Sequence, residues 1–162
     1  YTPYEYLRFT YDKDYLPTDA LGDKNNLISQ SGRYIFGKGF TMVGGQQSFY
    51  PAAYDRETDT LFSMVGNGYV SAMMDNGIAF LNDAPYYIGT TSYVVDTNGD
   101  IMIQTPIVDW LIAEHNIDLT DYILDGIIII GASEDCRRIA GITNTEEGWR
   151  TFVINLDGAP MQ

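Results

Sequence analysis

From Leu27 to Leu156 the chain alternates short, apolar, β-branched runs with clusters of Gly, Asn, Asp and Ser. Runs of this length between such clusters predict antiparallel strands joined by tight turns. The clearest series is the last: Ile127–Ala132, the polar turn Ser133-Glu134-Asp135-Cys136, Arg137–Ile142, the turn Asn144–Gly148, and Trp149–Leu156. Upstream, the pattern predicts two strands within Asn26–Gly37 around Ser31-Gly32, then Ser48–Tyr54 and Thr60–Val65. Further strands are Tyr69–Met74, Gly77–Leu81, Tyr86–Gly89, Thr91–Val95 and Ile101–Gln104, the last two joined by the hairpin signal Thr97-Asn98-Gly99. Lys38–Gln47 carries Gly44-Gly45 and reads as a loop or a loose hairpin tip.

Only a few segments carry helical spacing. In Pro106–His115 the positions Ile107, Trp110, Leu111 and Glu114 fall at helical intervals, with Thr105 placed to cap and Pro106 placed at the first helical position. Thr2–Tyr11 opens with the same Thr-Pro signal, and Leu119–Leu124 adds a further helical turn.

The strand series recurs. Leu27–Gly37 has the order of the last series: apolar start, Ser, turn, Arg, then an apolar strand closed by Gly. Ser48–Asp55 stands where Arg150–Asn155 stands, and a poorer copy runs from Tyr69 to Phe80 and on to Ser92–Asp96. With Ser29, Ser71 and Ser133 as anchors, Asp55, Asp96 and Asn155 follow at 26, 25 and 22 residues. This predicts an internal repeat in one domain, with units at about 1–63, 64–104 and 105–162.

The run Pro106–Leu156 resembles the bacterial extracellular HAF-type repeat, whose pattern is a helix, then G-[IV]-S-x-D-G-x-x-I-x-G, then a strand with an aromatic residue. Gly131, Ser133, Asp135, Ile139, Gly141 and Phe152 match it. Cys136 stands at a family Gly, and Asn116 stands where Gly often follows the helix. The resemblance implies blades of a β-propeller in a secreted or envelope-anchored bacterial protein, without a general catalytic motif. The expected fold is therefore all-β: antiparallel meanders as propeller-like blades, with a short helix inserted at about 105–115. The alternative is an open, twisted β-sandwich. Three units are fewer than a closed propeller uses, so the expectation is a part of a larger propeller, or one completed by another copy.

Charge narrows the partners. Against 22 acids stand 9 bases, a net −13 that repels phosphate backbones and argues against nucleic acid. The longest uninterrupted apolar run, Ile127–Ile130, is far short of a membrane span, which argues against insertion. One Cys precludes an internal disulfide.

Candidate chemistry is sparse. Asp96-Thr97-Asn98-Gly99-Asp100 opens like a calcium loop, but the positions needing Gly and a bidentate acid hold Ile101 and Ile107, so a hairpin is the better reading. Asp55, Glu57 and Asp59 crowd one turn, as a cation site or a solvated turn; Glu146-Glu147 reads the same way. His115 lacks partners at motif spacing and is placed to complement the carbonyls of the last helical turn. Cys136 lacks an obvious base. No catalytic residue, metal or cofactor is assigned. Aromatic residues are the best lead, since flat rings stack on sugars: Tyr50, Tyr54, Tyr86, Tyr87 and Trp149 are the candidate ligand contacts, with packing between sheets as the competing explanation. Tyr93 and Trp110 belong to the same excess of aromatics. The function expected is a non-catalytic extracellular or envelope binding or scaffold module, for a glycan or a protein. Self-association through open β edges is a further expectation. The competing function is a piece of a glycan-active hydrolase with carboxylates from different blades, which needs a pair roughly 5–10 Å apart.

Overall fold

A computed structural model describes residues 27–66, 68–82, 92–99, 101–123 and 125–157. The predicted helix at Thr2–Tyr11 and strand at Tyr86–Gly89 lie outside them. The described chain is mostly β, with one short helix among three antiparallel sheets. Sheet A holds β1 (Leu27–Ile28), β2 (Tyr34–Val43), β3 (Gln46–Asp55) and β4 (Thr60–Ser63) in sequence order. Sheet B holds β5 (Tyr69–Met73), β6 (Ile78–Asn82), β7 (Ser92–Asp96) and β8 (Thr105–Pro106), also in order. Helix α1 (Ile107–His115) leads to sheet C, a meander of β9 (Asp125–Ala132), β10 (Arg138–Thr145) and β11 (Gly148–Asn155). The predicted all-β class with a short inserted helix is what the chain adopts.

Local differences have local causes. Lys38–Gln47 is no loop: β2 and β3 pair over ten residues each, and Gly44-Gly45 is the two-residue tip, both at positive φ as such a tight turn needs. Ile101–Gln104 is not a strand. The partner of β7 comes later, with Val94 opposite Thr105, so the segment between is loop; Ile101 and Ile103 stand exposed there. Thr105 does not cap the helix. Thr105 and Pro106 belong to β8, and Pro106 is the cap residue, without a side-chain hydrogen bond. The helix ends in Asn116 at φ 53°, the left-handed conformation that Asn tolerates, where its N–H donates to the Ile112 carbonyl at 3.1 Å. Within the described part of Leu119–Leu124, the expected single turn is closed by the Tyr122 and Ile123 N–H groups on the Leu119 carbonyl.

One turn geometry occurs in all three sheets. The Gly32, Gly77 and Cys136 N–H groups donate to the Ser29, Met74 and Ser133 carbonyls at 2.9, 3.0 and 3.1 Å. The Arg56, Thr97 and Leu156 N–H groups donate to the Arg33, Gly77 and Arg137 carbonyls. The three donor residues Gly32, Gly77 and Cys136 have φ of 80°, 92° and 60° respectively. Asp55, Asp96 and Asn155 sit opposite Tyr34, Ile78 and Arg138 in register. In sheets A and C the Ser side chain also caps the returning strand, with Ser29 Oγ accepting from Tyr34 N–H and Ser133 Oγ from Arg138 N–H. In sheet B, however, the residue in this place is Met74, not Ser71. Ser71 lies three residues earlier, as the extra residue of a bulge in β5, where Val70 faces Leu81 and Ala72 faces Phe80.

Sheet B is covered on both faces. Toward sheet A it packs Val70, Met73, Ala79, Leu81 and Val95 in one cluster with Tyr34, Phe36, Ala53 and Met64. Toward sheet C and the helix it packs Ala72, Met74, Phe80 and Val94 with Ile107, Leu111, Ile127, Ile129, Ile139, Ile154 and Leu156. Double burial explains why β5–β7 read as nearly continuous apolar runs instead of clean alternation. Two serines fix the B–C junction. The bulge turns Ser71 Oγ to within 2.5 Å of the Ile129 carbonyl oxygen, and Ser92 Oγ lies 2.7 Å from that of Ile127 and 2.6 Å from Asn82 Oδ1. Both serines are buried; Ser71 donates to the Ile129 carbonyl, and the single hydroxyl proton of Ser92 is shared between the Ile127 carbonyl and Asn82 Oδ1.

Two stability predictions follow from this geometry. Ser71→Ala leaves the Ile129 carbonyl without that donor and should cost about 1–3 kcal/mol, read as a lower urea midpoint at unchanged m-value. Cys136→Gly should act the other way: a non-glycine residue in the left-handed region costs roughly 1 kcal/mol, so the midpoint should rise, less whatever packing the thiol contributes.

Candidate functional site

The turns of sheets A and B meet on one rim. Ser31 of the first turn donates both its N–H (3.2 Å) and its hydroxyl (2.6 Å) to the Asp75 carboxylate of the second. Beside them lies the acid-rich turn after β3. Arg33 grips Asp55 with two parallel bonds, Nε to Oδ1 at 3.0 Å and Nη2 to Oδ2 at 2.8 Å. The Glu57 N–H and the Thr58 hydroxyl supply further donors to the same carboxylate. Glu57 reaches Arg33 Nη1 at 3.3 Å, and Asp59 accepts a hydrogen bond from the Tyr54 hydroxyl. Asp55 and Glu57 thus form an arginine-centred clasp at the β3–β4 hairpin, with Asp59 bonded to Tyr54 beside it, and donors stand where a cation would need oxygen lone pairs. Among the described residues no group of three His, Cys, Asp or Glu side chains is placed to hold a metal.

The clasp carries a charge signature. Arg33 holds the Asp55 carboxyl below its ordinary 3.8, aided by Thr58 and the Glu57 N–H against the opposing effect of burial. The guanidinium of Arg33 is raised in turn by its bonds to Asp55.

The candidate residues are scattered. Tyr54 is buried at 5% exposure, on the face of sheet A directed away from sheet B, packed with Ile35, Tyr50 and Leu61. Tyr50 is half-buried on the same strand. Trp149 is 42% exposed at the start of β11, opposite Asn144 and next to the β10–β11 hairpin. Tyr86 and Tyr87 lie outside the described residues. Tyr50 and Tyr54 share one sheet; Trp149 belongs to another, so these three form no single pocket wall.

His115 and Cys136 are structural. His115 Nδ1 lies 2.8 Å from the Leu156 carbonyl oxygen, which only accepts, so Nδ1 carries the proton. Its ring meets Trp110 edge-on at 4.6 Å, and Trp110 meets Phe80 at 5.8 Å. The expected role at the carbonyls of its own last turn is replaced by a tie from the helix to the end of sheet C. Cys136 occupies the left-handed turn position.

An exposed surface that the candidate list omitted is the outer face of sheet C. Ile130, the extra residue of a bulge in β9, is 55% exposed, and Val153, opposite Ala140, is 43% exposed. Exposed Thr151 stands on the same face, around the buried Ile128. The signal was present in the four consecutive isoleucines 127–130: side chains alternate along a strand, so such a run puts apolar groups on both faces.

No protein-family model matches the chain, and no curated protein matches it.

The Asp55 clasp gives a pH prediction with a definite sign. A carboxylate whose pKa is lowered by folding adds stability that is complete above the unfolded value of 3.8 and is lost as pH falls through the lower, folded value. Asp55→Asn should therefore be less stable than the parent at pH 7, and the difference should shrink as the solution is taken below 3.8. Urea midpoints from pH 7 to 2 measure it; a constant difference would show that Asp55 acts without its charge.

Proposed function

We propose that the chain is a non-catalytic binding or scaffold module of the bacterial extracellular or envelope class, built from blade-like β-units of the HAF type. The observation that carries this reading is the threefold recurrence of one turn geometry with one relation between neighbouring sheets. Tyr34, Phe36 and Ala53 of sheet A lie against sheet B, and the residues in the same register positions of sheet B, Ile78, Phe80 and Val94, lie against sheet C. Sheets stacked in series through equivalent faces are the arrangement of propeller blades. A two-layer sandwich covers one face of each sheet, whereas sheet B is covered on both. Gly or its stand-in Cys136 at the left-handed turn position supports the same family resemblance.

The binding role rests on Trp149, the exposed one among the described aromatic candidates. Its ring stands at the start of β11, where a sugar or a protein side chain can stack on it. A glycan array probed with the purified chain tests the role. The expected result is retention of a glycan without turnover, weakened about tenfold by Trp149→Ala, corresponding to ~1.4 kcal/mol. Hydrolysis of a glycan, lost when one carboxylate is changed to its amide, would overturn the non-catalytic reading.

A further inference from the structure

A strand at the border of a sheet leaves one row of N–H and C=O groups unpaired, a template for a further strand unless something blunts it. Most described borders of this chain are blunted. β1 and β8 are two residues long, and β8 ends in Pro106. β4 has four residues. The arms of β2 and β3 that overhang β1 and β4 carry Lys38 and Pro51. β5 and β9 are bent by register shifts. β11, at the border of sheet C, is different. From Gly148 to Asn155 it pairs with β10 without a shift, and it holds neither Pro nor Lys.

The hydrogen bonds of sheet C fix which residues of β11 face outward. The Leu156 N–H donates to the Arg137 carbonyl, and the Ser133 N–H donates to the Arg138 carbonyl. Leu156 therefore turns its backbone toward β10, and Arg138 turns its own toward β9. The direction alternates along an antiparallel strand. Ile154, Phe152 and Arg150 thus bond to β10, while the N–H and C=O of Val153, Thr151 and Trp149 point away from it, at the border. The Trp149 carbonyl is met there by Nη1 of the adjoining Arg150 at 3.0 Å. Trp149 and Val153 are 42% and 43% exposed, Thr151 is exposed, and the Arg150 side chain between them is 54% exposed. The edge from Trp149 to Val153 is therefore accessible in one copy of the chain.

We infer that β11 pairs with β11 of a second copy, antiparallel about a two-fold axis at Thr151, joining the two C sheets into one continuous sheet. Outward residues must stand opposite outward residues for the bonds to form, which leaves few registers. With Thr151 opposite the partner's Thr151, Trp149 stands opposite the partner's Val153 in both halves, and each pair exchanges both N–H···O bonds. Thr against Thr and aromatic against β-branched are favourable cross-strand pairs. The two exposed apolar side chains of β11 thereby cover one another. On the inner face Arg150 comes opposite the half-buried Phe152, a cation beside an aromatic ring. The neighbouring registers are poorer. One sets Arg150 against Arg150, like charges directly opposite; the other sets Trp149 against Asn155 and loses the apolar pair. A two-fold contact uses the same strand on both copies, so it closes at two. Neither the blade reading nor glycan binding enters this inference.

Sedimentation velocity from about 1 to 100 µM, a range spanning ordinary dimer affinities, tests it directly. The expected result is a species of twice the 18.2 kDa chain mass, favoured by added salt because each copy carries −13. Thr151→Pro tests the edge. The Thr151 N–H points outward, so the proline ring removes no bond to β10. The variant should keep the parent's far-UV circular dichroism and associate at least about tenfold more weakly. Thr151→Lys, which sets two ammonium groups against each other on the axis, takes its place if the proline variant does not fold. Thr151→Cys in a Cys136→Gly background tests the register. The axis brings the two new thiols opposite each other at a Cα separation of about 5.5 Å, within disulfide range, so mild oxidation should trap a dimer that reduction reverses. A parent that stays monomeric throughout would overturn the inference. So would a dimer that both Thr151→Pro and Thr151→Lys leave intact, or one that Thr151→Cys fails to trap, since each puts the contact at another edge or register.

Discussion

Burial of sheet B on both faces is the constraint on which the rest of the structure depends. A sheet covered on one side can solve its packing by alternation, apolar in and polar out. Sheet B cannot, because Phe80 and Val94 belong to one core while Ala79, Leu81 and Val95 belong to the other. Every residue of β6 from Ala79 to Asn82 is buried in consequence. The arrangement concentrates the apolar gain, roughly 25 cal/mol per Å² removed from water, in the middle of the molecule. It also makes each polar atom there expensive unless paired. Ser71, Ser92, Asn82 and Tyr69 answer that cost, the two serines by reaching the β9 carbonyls and Asn82 by linking Ser92 to the Tyr69 hydroxyl.

The bulges connect this packing to chain geometry. An extra residue in β5 rotates Ser71 out of the pleat and toward β9. The extra residue in β9 rotates Ile130 toward solvent in the same sense. The same backbone device thus carries a hydroxyl where a neighbouring sheet is present and an exposed aliphatic group in sheet C. Gly141, which faces the second bulge from β10, has to be glycine for a separate reason. A Cβ there would lie 2.2 Å from the Ile128 carbonyl oxygen and 2.6 Å from the Phe152 ring, so the aromatic side chain lies directly over bare backbone.

Much of this architecture was legible because it is written in local chemistry. Gly44-Gly45, Asn76-Gly77 and Ser31-Gly32 mark turns, and the runs between them mark strands. The helix was legible from its spacing and Asn116. What escaped depended on distant parts of the chain. Ser71 looked like a turn anchor because its neighbours in sequence imitate those of Ser29, yet its partner lies 58 residues away in β9. His115 looked like a helix terminus residue, yet its bond goes to Leu156. The acids at 55 and 57 looked like part of a free cluster because Arg33, which holds them, stands 22 residues upstream of Asp55. The aromatic candidates divided according to which face of a strand each one occupies, something that follows from register and not from residue type.

Helix α1 explains why sheets B and C are joined differently from sheets A and B. The A–B core is filled by strand side chains together with Met64 and Met102 from the connecting loops. The B–C core needs a further wedge. Ile107 and Leu111 are fully buried in it, and Trp110 lays its edge on Phe80 from the rim. The helix enters directly from β8, the last strand of sheet B, and His115 ties its other end to the strand end of sheet C. It therefore spans the mouth of the junction and fixes the separation of the two sheets along one side, while the two serines fix it at the β9 edge. Two attachments on different sides of one interface leave little freedom for the sheets to slide.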